Sequence, residues 1–372
     1  MVLLIGNYPA DQQHSMQRFG TMMLQGLVAS GIEAELIQPR PFFGRIKFAG
    51  PFVSKWLAYI DKFLLFPREL RRKLSRPVQI VHICDHSNAL YTNEIGITPV
   101  LVTCHDLLAV RGALGEETDC PATFTGKFFQ RWILDGLKKA TAIACVSHAT
   151  LRDAERLVLH DGQPQLHFIP NGLNYPYRKQ TLEVARERLD GILDLGHPFV
   201  LHVGSNLRRK NREGVLRSFG LTKNDWNGRL VLAGDPLSNE LQSLGESLGI
   251  LDRIVEVASP DSVILEALYS SAIALIYPSR FEGFGWPIIE AQACGCPVIC
   301  SNREPLPEVG GDAALLRDSD DDVGFASDIL RLLDPAERER WSEKSSRNAK
   351  KYSADEMIAR YTELYRQLGA RI

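Results

Sequence analysis

Phe281–Glu290, FEGFGWPIIE, followed directly by AQACGCPVICS (Ala291–Ser301), decides the fold of this 372-residue chain. The run before it, AIALIYPS (Ala272–Ser279), is short and apolar and reads as a buried parallel strand. Gly283 and Gly285 around Phe284 make a turn. Pro287 then falls in the first turn of a helix, where its missing N–H breaks no hydrogen bond. Ile288–Cys294 continues that helix, Gly295 stops it, and PVIC (Pro297–Cys300) is the next strand. A strand, glycine loop, helix, strand unit leaves loop amides free beside the positive end of a helix dipole, which suits a phosphate. Glu282 stands just before the loop and Glu290 one turn into the helix, with seven residues between them.

Two carboxylates in this register, set in PS-x-FEGFG-x-P-x-x-EA-x-A-x-G-x-PV-I from Pro278 to Ile299, resemble the signature of the retaining glycosyltransferases of family 4 (glycosyl transferases group 1), which have the GT-B fold. A generic βαβ unit with solvated glutamates is the alternative. The glycines, the proline and both acids standing in register favour the signature. The resemblance implies an α/β chain of two Rossmann-like domains whose parallel sheets face each other across a cleft. An acceptor domain would take residues 1–175, with a C-terminal helix of about 354–372 crossing back to it. A nucleotide-sugar donor domain would take 197–353. The implied reaction moves a hexose from a GDP- or UDP-linked donor, with retention, to a sugar or lipid-linked glycan in polysaccharide or glycolipid synthesis. No metal or other cofactor is implied; Asp320-Asp321-Asp322 reads as a solvated turn.

A second phosphate element stands further up the chain. FVLHVG (Phe199–Gly204) runs into SNLRRKN and a helix starting near Arg212. By resemblance, Arg209 and Lys210 hold the donor diphosphate, where a bidentate guanidinium and a point charge stabilise the leaving group. A loop of solvated bases is the bland reading. Some relatives carry an arginine directly after the glycine; here it is Ser205, so Arg209 serves. The resemblance places Glu290 on the ribose hydroxyls and Glu282 beside the transferred sugar, with the N–H groups of Phe284 and Gly285 on that sugar. Gly204, Ser205, Gly283 and Ile288 complete the implied donor contacts. Departure and attack on one face, with the leaving diphosphate taking the acceptor proton, is the implied route; Glu282 as nucleophile is the alternative.

In the first half, strands are expected at Val2–Gly6, Ile32–Pro39, Val78–Cys84, Pro99–Leu107 and from Thr141, with Ser147 capping the next helix. His105 ends the fourth, where open α/β sheets bind ligands. The resemblance makes it a catalytic residue near the anomeric carbon; a hydrogen-bonded structural histidine is the other reading. Ser15-Met16 stands where the family usually has a Gly-Gly pair, so Asn7, Gln13, His14 and Ser15 either face the cleft or cap the loop.

Charge is distributed unevenly. Residues 1–178 hold 19 Lys+Arg against 15 Asp+Glu, and the remainder 24 against 30, which excludes a nucleic-acid binder basic throughout. Residues 40–76 concentrate ten bases and two acids among Phe, Trp, Tyr and Leu. That composition suits an amphipathic segment on an anionic membrane, or a helix packing its rings on the core with its bases in water. Seven cysteines, mostly in apolar runs and without zinc-finger spacing, point to a reducing compartment. With no signal-peptide pattern and no spanning apolar run, the expectation is a cytoplasmic protein, peripheral at most on the inner face of the cytoplasmic membrane. A non-catalytic nucleotide-sugar-binding relative would have lost charge at Glu290, Arg209 or Lys210. A nicotinamide oxidoreductase would need a glycine fingerprint that GNYPADQQ does not supply.

Overall fold

The runs VLLI (Val2–Ile5), IVHI (Ile80–Ile83), VLVTC (Val100–Cys104) and AIAC (Ala142–Cys145) are buried at every position. Strands without alternation are what a parallel sheet covered on both faces requires. The computed structural model describes residues 1–11, 13–44 and 56–372. Their contacts divide into two units, Met1–Asn174 with Ala354–Ile372, and Tyr175–Ser353.

The first unit holds β1 (Val2–Ile5), β2 (Ala34–Ile37), β3 (Ile80–Ile83), β4 (Val100–Cys104), β5 (Ala142–Cys145) and β6 (Gln165–Phe168) in one parallel sheet, ordered β2-β1-β3-β4-β5-β6. The second holds β7 (Phe199–Gly204), β8 (Arg229–Gly234), β9 (Ile254–Ala258), β10 (Leu275–Tyr277), β11 (Val298–Ser301) and β12 (Ala314–Arg317), ordered β12-β11-β10-β7-β8-β9. Each order reverses once, between β1 and β3 and between β7 and β10. There the loops leaving the two strands diverge and open a crevice at the carboxyl ends. Ser147 caps the helix His148–Leu157 by accepting from the Thr150 N–H.

The C-terminal stretch forms two helices, Pro335–Ala349 and Ala354–Gln367, around a short turn at Lys350–Tyr352. The second belongs to the first unit and enters its sheet through a buried polar chain. Tyr365 Oη lies 2.7 Å from His82 Nδ1, His82 Nε2 lies 2.7 Å from Thr103 Oγ1, and Thr103 Oγ1 lies 2.8 Å from Tyr361 Oη. Burial drops the His82 pKa to about 3, so the ring stays neutral, one nitrogen donating and the other accepting.

Two expectations change. Ser15-Met16 lies in the first turn of the helix His14–Ala29 and not in a loop, and Gln13 and Asn7 bond to each other. The basic segment is described at 40–44 and 56–76; Arg45, Lys47, Phe48, Phe52 and Lys55 lie outside the described residues. Within it, Asp61 is buried and anchors the chain: its carboxylate accepts from the Phe42, Phe43 and Gly44 amides and from Tyr8 Oη. Acids from other elements pair several of the bases, Lys62 with Asp11, Arg71 with Glu94 and Lys73 with Glu35.

Candidate functional site

In the second unit the loops after β7 and β10 meet at the order reversal. A Cβ on Gly204 would come within 3.2 Å of His202 Nε2, a tight contact, and would touch the Lys210 stem, which lies along the strand end, at 3.6 Å. The loop passes Ser205 into a short turn, Arg208–Lys210, and ends at Asn211, whose backbone is left-handed (φ 55°). Asn211 is the stitch. Its side-chain oxygen accepts from the Gly214 N–H to cap the helix Arg212–Leu221, while its amide donates to the Pro278 and Ser319 carbonyls at 3.2 and 2.7 Å. The Arg280 N–H donates to the Arg209 carbonyl at 2.8 Å, which fastens the two loops directly.

Glu282 is the centre of what they hold. Its Oε1 accepts from Lys210 Nζ at 2.6 Å and Tyr277 Oη at 2.7 Å, and its Oε2 from Arg209 Nη1 at 3.0 Å. Arg209 also donates to the Phe281 carbonyl, and Lys210 to Tyr277 Oη. Burial alone would raise the Glu282 pKa; Lys210 and Arg209 overcome it and hold the carboxyl at about 2. A carboxylate fixed in that state neither donates nor takes a proton near neutrality. Two cations against one anion leave a surplus of one positive charge. His202 beneath adds none: burial, with Arg212 and Lys210 nearby, lowers its pKa to about 3, and its Nδ1–H donates to the Ile276 carbonyl.

The glycine loop follows. Gly285 precedes the helix Trp286–Ala293 at φ 103°, and a Cβ there would sit 2.7 Å from Leu306 Cδ2. The positive φ is what demands glycine there. Phe284 is buried against the Trp286 and Tyr352 rings, which holds the loop after Gly283 in shape. The amides of Phe284 and Gly285 meet no acceptor among the described residues. Ile288 is fully buried beneath the loop, and its amide donates to the Gly285 carbonyl. Glu290 is buried, with Oε2 accepting from Tyr269 Oη at 2.9 Å.

The first unit has its own carboxyl-end cluster at its order reversal. After β1, the Asn7 amide donates to Asp85 Oδ2; after β3, Asp85 caps the turn His86–Glu94 by accepting from the Ser87 N–H. Burial opposes the charge on Asp85, but His86, His105, Ser87 and Asn7 hold its pKa below the ordinary value. After β4, His105 donates from Nε2 to the Cys84 carbonyl at 3.0 Å and meets the Phe19 ring edge-on. Burial lowers its pKa although Asp85 pulls the other way. A neutral ring with its proton on Nε2 keeps the Nδ1 lone pair, so His105 is an acceptor there and not a cation.

Tyr277, Tyr269, Asn211 and Arg280 were not among the residues expected to matter. Tyr277 carried a readable signal, a tyrosine at a strand end five residues before Glu282. Tyr269 carried none, since it sits inside an apolar helix. Among the described residues no group of three or more His, Cys, Asp or Glu gathers as a metal site. The acidic run is used structurally, with Asp321 capping the helix Asp322–Arg331, Asp320 paired to Arg280 and Asp322 to Arg217.

The family model for glycosyl transferases group 1 matches residues 186–348. The chain is 34% identical over 178 residues to the O-antigen chain mannosyltransferase B of Escherichia coli, covering 46% of each protein. It spans between 46% and 66% of the length of four curated relatives. Among solved structures it matches the sucrose-phosphate synthase of Thermosynechococcus elongatus at a TM-score of 0.76 and 21% identity, over 99% of this chain and 98% of the other. It matches Anabaena HepE, solved with UDP and glucose, at 0.73 and 14% identity, over 98% of both chains. Residues 186–348 thus match the glycosyl transferases group 1 model, and the chain, with its two parallel-sheet units, shares the fold of these solved structures.

Proposed function

We propose that the protein is a retaining glycosyltransferase that moves a hexose from a nucleotide-diphosphate sugar to a glycan or lipid-linked glycan acceptor. The observation that carries this reading is the pair Arg209 and Lys210 gathered on Glu282 at the order reversal of the second sheet, with one positive charge to spare. In the proposal the diphosphate lies against those cations and takes over part of their hydrogen bonding. The amides of Phe284 and Gly285 receive the sugar hydroxyls, and Glu290, steadied by Tyr269, accepts from the ribose. Preorganised cations at the place where charge develops on the leaving group are the main source of rate here. Glu282, permanently ionised and fully bonded, orients the cations and is a poor candidate for the nucleophile. His105 serves at the acceptor side as a neutral acceptor through Nδ1. Nothing in this scheme calls for a metal.

The relative named as a mannosyltransferase makes GDP-mannose the first donor to try, and HepE makes UDP-glucose the second. No helix among the described residues is long and apolar enough to cross a membrane, so a lipid-linked acceptor would be met at the membrane surface. The test is a panel of GDP- and UDP-sugars with free and lipid-linked acceptors, followed by mass detection and anomeric assignment by NMR. Transfer with retention from one donor is expected. Inversion, or a donor that binds and is neither transferred nor hydrolysed, overturns the reading.

A further inference from the structure

The helix over 56–74 and the helix Phe124–Lys138 pack together in the first unit through a ladder of rings. Tyr59 lies 5.2 Å from Phe129, and Phe63 stacks on Phe129 at 5.4 Å and lies 5.4 Å from Trp132. Phe66 and Leu70 continue inward, fully buried. So Tyr59, Phe63 and Phe66, which composition left between core and membrane, pack inward.

Other apolar side chains of the two helices point outward. Phe124 is 91% exposed, Phe128 63%, Trp56 55%, Leu64 50% and Ile60 36%. Trp56, Ile60 and Leu64 recur every fourth residue, which on an α-helix drifts around the axis. Here the turn Asp61–Leu65 is a π-turn, wider than an α-turn. A step of four overshoots an α-turn and undershoots a π-turn, so the drifts cancel and the three side chains line up. On the neighbouring helix Phe124, Lys127, Phe128 and Arg131 share one face by their spacing of three and four. Both stripes end in exposed bases, Lys127 and Arg131 on one and Arg68 and Arg72 on the other. The facing acids are few. Asp135 is exposed further along its helix, Asp61 is buried under its four donors, Glu69 pairs with Arg40 and Glu94 with Arg71. The crest is thus apolar at its top and positive along its flanks.

We propose that this double-helix crest is a docking surface for an anionic lipid bilayer. Phe124, Phe128, Trp56, Ile60 and Leu64 enter the boundary between headgroups and acyl chains, and Lys127, Arg131, Arg68 and Arg72 pair with lipid phosphates. A bilayer suits this crest because exposed rings and aliphatic chains on convex helices need a fluid apolar phase and no matching shape, and because the flanking charge complements anionic headgroups. The helix Phe124–Lys138, which composition alone did not single out, supplies the most exposed rings. The inference deepens the membrane part of the proposed function. It needs no turnover to be seen, so its failure leaves the glycosyl-transfer reading standing.

The experiment is co-sedimentation with vesicles of phosphatidylcholine containing about a third phosphatidylglycerol, against pure phosphatidylcholine, at low and high salt. Wild type is expected to sediment only with the anionic vesicles and to be released by salt. Lys127→Gln with Arg131→Gln should weaken partition about fivefold per charge. Phe124→Ser with Phe128→Ser should weaken it by about tenfold or more. Circular dichroism and nucleoside diphosphate affinity should stay unchanged in both pairs. Wild type remaining in solution with anionic vesicles at low salt overturns the proposal. Equal sedimentation of the Phe124→Ser/Phe128→Ser protein also overturns it, and would leave the crest for a protein partner.

Discussion

Replacing Glu282 by glutamine keeps the shape of the side chain and removes the carboxylate on which Arg209 and Lys210 meet. The carboxyl moves from an ordinary value of 4.5 to about 2 in the folded protein. Each pH unit of that difference is worth about 1.4 kcal/mol, so ionised Glu282 contributes about 3 kcal/mol to the second unit at neutral pH. Breaking a buried pair by removing one partner costs a similar amount, because the remaining charges stay buried. Glu282→Gln should therefore lose about 3 kcal/mol in urea unfolding at pH 7, roughly 6–12 °C in melting temperature for a unit of this size. The pH dependence carries the sign. A depressed carboxyl stabilises fully above 4.5 and loses its contribution as pH falls towards about 2. The gap between wild type and variant should close over that window. Removing the anion also raises the surplus at the cation pair from one charge to two, so the variant should bind inorganic diphosphate at least about tenfold more tightly while transferring sugar more slowly. Urea titrations at pH 7 and pH 3, with calorimetric binding of diphosphate, measure all of this. A variant within about 1 kcal/mol of wild type at pH 7, or a gap that persists unchanged at pH 3, would refute the pairing argument.

Glu290→Gln and Lys210→Ala should each weaken nucleoside diphosphate binding by about 1–3 kcal/mol without unfolding the protein; unchanged calorimetric affinity in both removes them from the donor site. His105→Ala should lower turnover more than donor affinity, and normal kinetics would make it a structural histidine. His82 and His202 sit at pKa values of about 3 against 6.5 when unfolded, so the unfolded chain binds the extra protons. Stability should then fall below pH 6.5 by about 1.4 kcal/mol per pH unit in each unit of the fold, which urea unfolding at pH 6 and pH 5 will read; a flat profile contradicts the neutral buried rings. Transfer should persist in excess chelator, since Arg209 and Lys210 supply the charge a metal would bring, and a complete, metal-reversible loss would overturn that expectation.

Much of this protein is written locally. The turn of Gly283 and Gly285, the helix opening at Pro287, the strand Phe199–Gly204 and the cap at Ser147 each depend on backbone preferences a few residues wide. They stand where the sequence placed them, because no distant contact competes with them. Both carboxylates and both cations were equally legible as residues. Their pairing was not. Glu282 lies 72 residues from Lys210 in the chain, and only the order reversal of the second sheet, with Asn211 and Arg280 as stitches, brings the two within 2.6 Å. Composition left residues 40–76 divided between core and membrane, and tertiary structure decided which of the described side chains are buried. Phe63 packs inward because the helix Phe124–Lys138 offers Phe129 and Trp132, Phe66 because Tyr91 meets it, and Leu64 stays on the outer face, half exposed. Asp61, Lys62 and Lys73 were likewise diverted to partners from other elements. Propensity and pattern act over one or two turns of chain. Charge pairing, proton placement on His105 and burial are decided by whichever distant residues the sheets bring alongside.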